Sequence, residues 1–358
     1  MNIERESYLK KLIDSMHIDL IKVVTGIRRW GKSYLLFQIF YDYLKKNGVD
    51  ETHIIKVELD LRKNKDLLDP DRLCSYVENK IADTEQYYIL LDEIQMVNDF
   101  ESVLNEFLHI KNADIYVTGS NSKFLSSDII TEFRGRSMEI RVRPLNFAEY
   151  HKASGDSVEK DWSDYLVYGG MPFLFNFKDD ESKSAYLKSL FDETYLKDIV
   201  DRNSLQGSSA IDELTNILAS ATGSRTNPAK LERTFLSATG TTVSAPTIRK
   251  YISYLTDSYI IQDVRRYDVK GKKYIGMLDK YYFVDTGLRN ARLNFRQIEE
   301  THLMENILYN ELAGMNYSVD IGVVELNAKD NRNRSFRKQL EIDFVLNKGS
   351  KRIYVQSA

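Results

Sequence analysis

The stretch that decides the fold is Gly26-Ile27-Arg28-Arg29-Trp30-Gly31-Lys32-Ser33. It follows a short β-rich run at residues 21–25 and precedes apolar residues that recur at helical spacing. The two glycines let the chain turn tightly without Cβ clashes, so backbone N–H groups point inward and the loop binds phosphate. Lys32 can reach the β- and γ-phosphates, and Ser33 can ligate Mg²⁺ from the helix N-terminus.

The predicted nucleotide-binding set takes in the whole loop and the residue after it. Its members are Gly26, Ile27, Arg28, Arg29, Trp30, Gly31, Lys32, Ser33 and Tyr34. Two roles stay open for Arg28 and Arg29: they contact phosphate, or they form salt bridges to carboxylates across the domain face. The expected ligands of this site are ATP and Mg²⁺.

A second motif supplies the acids that such a loop needs. The apolar run at residues 88–91 ends in Asp92, expected beside the metal, and Glu93, expected to polarise the attacking water. About 55 residues separate Ser33 from this run, which leaves room for a helix, a strand and another helix. The extra strand and the glutamate after the aspartate favour the AAA/RecA-like branch over small kinases and GTPases.

Polar and basic residues further along are candidates for the same site. Thr118, Ser120 and Asn121 follow a strand candidate, where α/β proteins bind ligands, and are expected to sense the γ-phosphate. The alternative for these three is a plain turn. Arg134 and Arg136 precede the fifth strand candidate and are expected to neutralise charge on the transferring phosphoryl group, in the same chain or from a neighbouring subunit.

The order of elements predicts an α/β fold. Strand candidates at 21–25, 54–59, 88–91, 115–118 and 138–142 alternate with helical patterns, which favours a parallel sheet with helices on both faces. We predict four segments: a P-loop ATPase domain at 1–150, a helical segment at 151–210, a winged-helix domain at 211–290 and a nuclease-like domain, apparently incomplete, at 291–358.

The winged-helix prediction comes from three helical patterns followed by β-rich runs at 260–269 and 274–284. Ser244 is the expected N-cap of the third helix, with Pro246 in its first turn. Between residues 245 and 281 the sequence contains eight basic residues and four acidic ones. Two interpretations stay open for this segment: it contacts DNA phosphates, or it docks another protein.

Taken together, the motifs resemble prokaryotic AAA-type ATPases that carry a C-terminal domain of unknown function, the DUF4143 group. The resemblance covers nearly the whole chain and implies an ATP-binding core, a winged-helix segment and a restriction-endonuclease-like α/β tail. It implies no cellular role. The matching pieces lie at 26–33, 90–95, 118–122, 134–137, 144–150, 168–172, 247–261 and 280–291.

The acids of the tail resemble a restriction-endonuclease-like site. Glu305 and the Glu341-Ile342-Asp343 run stand where acids would hold Mg²⁺, unless they are ordinary surface charge. Such sites also need an acid and a lysine two positions apart on the following strand, where this chain has Gln356 and Ala358. A neutral amide is a poor Mg²⁺ ligand and alanine cannot stabilise a phosphorane, so we predict an inactive nuclease.

Composition limits the function classes. The net charge of −3 argues against a wholly basic nucleic-acid-coating protein. Cys74 is the only cysteine, so an intrachain disulfide framework is excluded and a reducing cytoplasm is expected. No apolar run approaches the roughly 20 residues that span a bilayer. The expected partners are ATP, DNA through the 245–281 segment, and further copies of the chain.

Three functional hypotheses follow. The first is an ATPase that uses Mg²⁺ and whose nucleotide state moves the winged-helix and nuclease-like domains. The second is a nucleotide-gated DNA-binding regulator or defence sensor with little turnover. The third, disfavoured by Gln356 and Ala358, is an active metal-dependent nuclease.

Overall fold

The computed structural model describes residues 3–119, 133, 135–296, 298–329 and 335–357. The chain divides into two compact units, Met1–Arg143 (unit 1) and Pro144–Ala358 (unit 2). The boundaries of the four segments proposed from the sequence stay predictions. None of the helices in the described ranges combines the length and apolar character that crossing a membrane requires.

Unit 1 contains a five-stranded sheet in the order β2-β3-β4-β1-β5, with every neighbouring pair parallel. This confirms the predicted parallel sheet, and each strand begins and ends within two residues of its prediction. The strands are β1 (Ile21–Thr25), β2 (Ile54–Glu58), β3 (Tyr87–Asp92), β4 (Ala113–Thr118) and β5 (Ser137–Arg141).

Helices cover both faces of this sheet, as predicted. Asp69 caps one of them by accepting a hydrogen bond from Arg72 N, with Pro70 in the first turn. The helix after the glycine loop is continuous but changes type, from α2 (Lys32–Tyr34) through a π-helix (Leu35–Phe40) to α3 (Tyr41–Lys46). The others are α1 (Glu6–Asp14), α4 (Pro70–Lys80), α5 (Phe100–Phe107) and 3₁₀ turns at Glu51–His53, Arg62–Leu68 and Ile94–Met96.

The alternation of side chains along the strands produces two cores in unit 1. Val23 and Leu91 point to one face and pack with α4 and α5, whereas Val24 and Leu90 point to the other and pack with α1 and the helix after the loop. Because both faces of the central part of the sheet are buried, β1, β3 and β4 are mostly apolar, which is typical of parallel sheets. The carboxyl ends of β1, β3 and β4 therefore meet at one rigid edge.

Unit 2 begins with helices. Asn146 and Glu149 form a capping box at the start of the first one, each side chain accepting a backbone N–H of the other residue. The helices are α6 (Phe147–Ser154), α7 (Val158–Tyr168), α8 (Asp180–Leu190), a π-helix (Phe191–Leu196), α9 (Lys197–Arg202), α10 (Ser209–Ser220), α11 (Pro228–Thr239), α12 (Ala245–Asp257), α13 (Thr286–Arg292) and α14 (Glu300–Gly314), with a 3₁₀ turn at Pro172–Asn176.

The strands of unit 2 form one mixed sheet in the order β10-β9-β8-β6-β7. β6 and β7 form an antiparallel hairpin, β8 lies parallel to β6, and β9 and β10 continue antiparallel. The hairpin predicted for a winged-helix domain and the strands predicted for the tail therefore share a sheet. The strands are β6 (Ile261–Asp268), β7 (Lys273–Phe283), β8 (Ser318–Lys329), β9 (Ser335–Lys348) and β10 (Lys351–Val355).

A buried carboxylate ties together two stretches of unit 2 that the sequence singled out only by resemblance. Asp285 accepts a hydrogen bond from Leu288 N at 3.0 Å, which caps α13, and another from Gly170 N at 2.8 Å. Asn290 on the same helix donates to the carbonyls of Leu166 and Val167, at the end of α7. These contacts satisfy backbone groups at two helix ends that would otherwise be buried without partners.

Asp285 makes the stability of the protein depend on pH. Burial raises its pKa to about 6 from an ordinary 3.8, against the opposing effect of three backbone N–H groups. The folded state then binds the proton more tightly than the unfolded state. The free energy of unfolding should therefore fall by about 3 kcal/mol as pH rises from about 4 to about 6.

Urea unfolding between pH 4 and pH 7 checks this expectation. Asp285→Asn is the control, because its side chain is neutral throughout and lacks this contribution. We expect the stability difference between wild type and variant to shift in favour of the variant as pH rises. A constant difference across this range would show that Asp285 does not retain its proton in the folded state.

Candidate functional site

The glycine loop joins the end of β1 to the start of α2. Gly26 and Gly31 have φ of 138° and 88°, values that other residues rarely adopt. A Cβ on Gly26 would lie 2.5 Å from the Val142 carbonyl oxygen. Leu35 N donates to Gly31 O at 2.8 Å, so helical hydrogen bonding begins directly at the loop. The N-terminus of a helix is the kind of site that binds phosphate.

The remaining residues of the predicted nucleotide-binding set are either buried or exposed. Ile27 and Trp30 are only 5% and 2% exposed, and therefore fix the loop to the interior of unit 1. Arg28 and Arg29 are exposed, and Arg29 has a positive φ of 70°. Tyr34 is 39% exposed on the first helical turn. Nucleotide contacts by these five residues stay predictions.

Lys32 lies folded over the loop. Its side chain is 4% exposed, and its Nζ donates to the Ile27 carbonyl at 3.2 Å. The ammonium therefore stays on the concave side of the loop, where the backbone N–H groups of the helix start also lie. The ammonium and the positive end of the helix dipole together favour an anion there.

Asp92 joins the loop to the end of β3. Its Oδ1 accepts a hydrogen bond from Ser33 Oγ at 3.0 Å and another from the Thr118 hydroxyl. Burial raises the pKa of the Asp92 carboxyl, while the hydrogen bonds from Thr118 and Ser33 lower it. A hydroxyl and a carboxylate side by side are the oxygen ligands that Mg²⁺ prefers, so this pair fits the metal.

Glu93 follows Asp92 in a left-handed backbone conformation, with φ of 51°. Its backbone N–H donates to Thr118 Oγ1 at 3.0 Å, and its carboxylate Oε2 accepts a hydrogen bond from Gln95 Nε2. The sequence predicted Glu93 but missed Gln95, whose only signal was its place in the motif at 90–95. The half-buried carboxylate lies at the same sheet edge as the loop.

Thr118 does not present its hydroxyl for phosphate sensing. The residue is fully buried, and its Oγ1 is engaged by the Asp92 carboxylate and the Glu93 N–H. It therefore connects the two acids instead of facing a ligand. The other sensor candidates, Ser120 and Asn121, lie outside the described residues.

Arg136 lies at the wrong end of the sheet for a role in its own chain's site. Ile21 N donates to Arg136 O, and Ile21 pairs with Ser137 in the parallel register of β1 and β5. The glycine loop begins after Thr25, about 13 Å further along the strand. The same-chain role is wrong, whereas action on a neighbouring subunit stays a prediction. Arg134 lies outside the described residues.

Acids of the tail meet basic residues in unit 2. Lys280 Nζ lies 2.7 Å from Glu305 Oε1 and 3.0 Å from Glu341 Oε1, and Arg225 Nε donates to Glu341 at 2.5 Å. Burial lowers the pKa of Lys280, but the two carboxylates outweigh burial and raise it overall. Glu305 and Glu341 are therefore neutralised by the chain's own cations. In the described part of the chain, no His, Cys, Asp or Glu side chains form a group of three suited to a metal.

The structure also brings Gln356 to Asp343. Gln356 Nε2 and Ser357 N donate to Asp343 Oδ2 at 2.7 Å and 2.8 Å. An amide thus occupies the position where a second metal-binding acid was expected. Ala358 lies outside the described residues.

Comparison with known proteins places the chain in a class. A family model described as AAA domain matches residues 19–151, and one described as domain of unknown function DUF8612 matches residues 159–299. The resemblance had suggested the DUF4143 group, which is therefore not supported. With the glycine loop, the parallel sheet and the Asp92 contact, the first match assigns this part of the chain to the AAA-type ATPase family.

Full-length relatives identify the family. An uncharacterized protein of Haemophilus influenzae is 34% identical over 362 residues, which cover 99% of this chain and 86% of that protein. One of Methanocaldococcus jannaschii is 28% identical over 344 residues, covering 91% and 72%. The chain belongs to this family of AAA-type ATPases.

A solved structure, the Orc1 protein of Aeropyrum pernix in complex with DNA, is 11% identical to this chain. The match covers 82% of this chain and 92% of that one, with a TM-score of 0.33.

Proposed function

We propose that the chain binds ATP with Mg²⁺ and hydrolyses it through Lys32, Ser33, Asp92 and Glu93. The observation that carries this proposal is the 3.0 Å hydrogen bond from Ser33 Oγ to Asp92 Oδ1. It joins the phosphate loop to the acidic end of β3, and these two motifs are the parts that P-loop ATPases need for metal binding. The AAA domain match over residues 19–151 supports the same class.

Each side chain has a distinct role in this proposal. Lys32 places positive charge beside the β- and γ-phosphates, and Ser33 and Asp92 hold Mg²⁺. The metal supplies charge neutralisation on the phosphate oxygens. Glu93 accepts a proton from the attacking water or orients it, and its carboxylate is held at the edge where the loop lies.

Phosphate release from ATP tests the proposal directly. We expect wild-type protein to release phosphate with Mg²⁺ and not with excess EDTA. The assay is repeated with DNA, RNA and peptide present, because a physiological partner would raise the rate. Release that does not depend on Mg²⁺ would contradict the assigned roles of Ser33 and Asp92.

A second copy of the chain is part of the proposal because of Arg136. Its side chain is exposed and lies at the end of the parallel strands opposite the loop, so the predicted role on a nucleotide requires a neighbouring subunit. We therefore propose a homo-oligomer. Sedimentation with and without ATP tests it, and a monomer in both conditions contradicts it. A cytoplasmic location stays a prediction.

We also propose that unit 2 carries a winged-helix segment and that nucleotide state in unit 1 controls it. Three helices, α10 to α12, precede the β6–β7 hairpin. The segment between α10 and α11 pairs with the hairpin, because Thr226 and Asp279 exchange two backbone hydrogen bonds of 2.9 Å. Ser244 caps α12 as expected. These contacts support one module of helices and hairpin.

DNA binding through the 245–281 segment is the alternative function, and the structure changes which basic residues could contribute to it. Arg266 and Lys280 are 3% and 4% exposed, so they do not belong to a basic surface. The other six basic side chains are exposed: Arg249, Lys250, Arg265, Lys270, Lys272 and Lys273. Three of these six lie at the hairpin turn, where they favour contact with phosphate.

An acidic cavity limits where DNA could bind on this segment. The cavity has a volume of about 660 Å³ and lies between α11, α12 and the hairpin. Asp257, Asp263 and Asp279 line it together with Arg249. Carboxylates repel phosphate, so the turn at 269–273 is the better candidate. DNA affinity that falls with salt and shifts with ATP would support this alternative; absence of binding at low salt would exclude it.

We predict that the tail has no nuclease activity. Lys280 and Arg225 neutralise Glu305 and Glu341, and Gln356 donates to Asp343 where an acid should bind metal. Supercoiled plasmid incubated with Mg²⁺ or Mn²⁺ should remain intact, and wild type should equal Asp343→Ala. Cutting by wild type that is lost in Asp343→Ala would show this prediction to be wrong.

A further inference from the structure

Glu93 is held by two hydrogen bonds from opposite sides of its turn. Thr118 Oγ1 accepts its backbone N–H at 3.0 Å, and Gln95 Nε2 donates to its carboxylate. The left-handed conformation of a glutamate is sterically unfavourable, so it persists only where neighbouring contacts impose it. The first contact fixes the backbone, whereas the second acts on the side chain that the proposed reaction uses.

Gln95 lies on a turn that is anchored in the core. Ile94, directly before it, and Val97, two residues after it, are 0% and 1% exposed. Met96 N donates to Glu93 O at 2.9 Å, and Val97 N donates to Ile94 O at 3.0 Å, which closes a 3₁₀ turn. The amide of Gln95 is therefore presented to Glu93 from a rigid support, without a long flexible segment between them.

We propose that Gln95 is a positioning residue that holds the Glu93 carboxylate ready to orient the attacking water. This inference rests on the proposed ATP hydrolysis and adds a residue to its machinery. An N–H donor on one carboxylate oxygen restricts rotation about the terminal bond and leaves the second oxygen for water. Gln95 thus affects turnover through Glu93 and makes no contact with the nucleotide.

Two substitutions separate the effect of the hydrogen bond that Gln95 donates from the effect of its size. Gln95→Ala removes the amide, and Gln95→Glu keeps the size but cannot donate and places a like charge beside Glu93. We expect both to lower kcat by about tenfold to a hundredfold. The KM for ATP and the affinity for a fluorescent ATP analogue should stay within about twofold of wild type, because phosphate binding does not use this side chain.

The decisive measurement is a double-mutant cycle in the full chain. Glu93→Gln and Glu93→Gln/Gln95→Ala should have the same kcat, because Gln95 has no carboxylate left to hold. The matched control is Gln38→Ala, which removes an exposed amide that donates to Asp42 elsewhere in unit 1. It should leave kcat unchanged. Thermal melting confirms that each variant is folded.

The outcomes distinguish this inference from the proposed function. Turnover that requires Lys32 and Glu93 but is unchanged or faster in both Gln95 variants would overturn the inference alone. Independent, multiplicative losses in the double variant would also overturn it, since they indicate a role outside Glu93. Wild-type turnover no greater than that of Lys32→Ala would refute ATP hydrolysis and, with it, the role of Gln95.

Discussion

Replacing Lys32 by alanine is expected to abolish ATP hydrolysis. The side chain is buried over the loop, with its Nζ at 3.2 Å from the Ile27 carbonyl, so its charge is fixed on the phosphate side. Removing a preorganised charge that stabilises the transferring phosphoryl group costs about 10²- to 10³-fold in kcat. Affinity for ATP should fall as well, because the same ammonium contacts the bound phosphates.

Steady-state phosphate release and binding of a fluorescent ATP analogue measure the two effects. Lys56→Ala is the matched control, because Lys56 also donates to a backbone carbonyl, that of Phe37, at 3.1 Å. Lys56 is exposed on β2, at the edge of the sheet away from the loop. The control should keep wild-type turnover, so a loss in both variants would indicate a general effect of removing a lysine.

Glu93→Gln is expected to separate binding from hydrolysis. The amide cannot accept a proton from water, and general-base contributions are about 10²- to 10⁴-fold. Lys32, Ser33 and Asp92 are untouched, so ATP and Mg²⁺ should bind as in wild type. A variant that retains ATP and turns over slowly would therefore accumulate the bound state. Nucleotide extracted after gel filtration should be ATP rather than ADP.

Glu78→Gln is the control for this second prediction. Glu78 is exposed on α4 in the same unit. Its substitution by glutamine removes the same charge, but away from the sheet edge where the loop lies. Its turnover should equal that of wild type. If Glu93→Gln hydrolyses ATP at the wild-type rate, another group orients the water and the role given to Glu93 is wrong.

Much of unit 1 could be predicted because its signals are local. Strands β1, β3 and β4 are buried, mostly apolar runs, and the loop glycines have positive φ, as the tight turn required. Chain direction would also have located Arg136. In a parallel sheet, all residues that precede a strand lie at one end of the strands, and all residues that follow a strand lie at the other end. Arg136 precedes β5 and Gly31 follows β1, so the two could not lie side by side.

Features that depend on distant contacts could not be predicted. In the sequence, Lys280 is one of several basic residues in a predicted hairpin. Its burial could not be predicted, because the partner that accompanies it, Glu305, lies on a later helix. Asp285 gives only the local signal of a helix cap, since its other partner, Gly170 N, is more than a hundred residues away. Gln95 differs, because its partner is two residues away, but the turn that aims it at Glu93 is visible only in three dimensions.

The central claim is that the loop and the acids of unit 1 hydrolyse ATP with Mg²⁺. Phosphate release by wild type and by Lys32→Ala, each with Mg²⁺ and with EDTA, tests it most directly. We predict sustained release only from wild type with Mg²⁺, at a rate at least about a hundredfold above the variant. Equal release from wild type and Lys32→Ala in Mg²⁺ would contradict the claim.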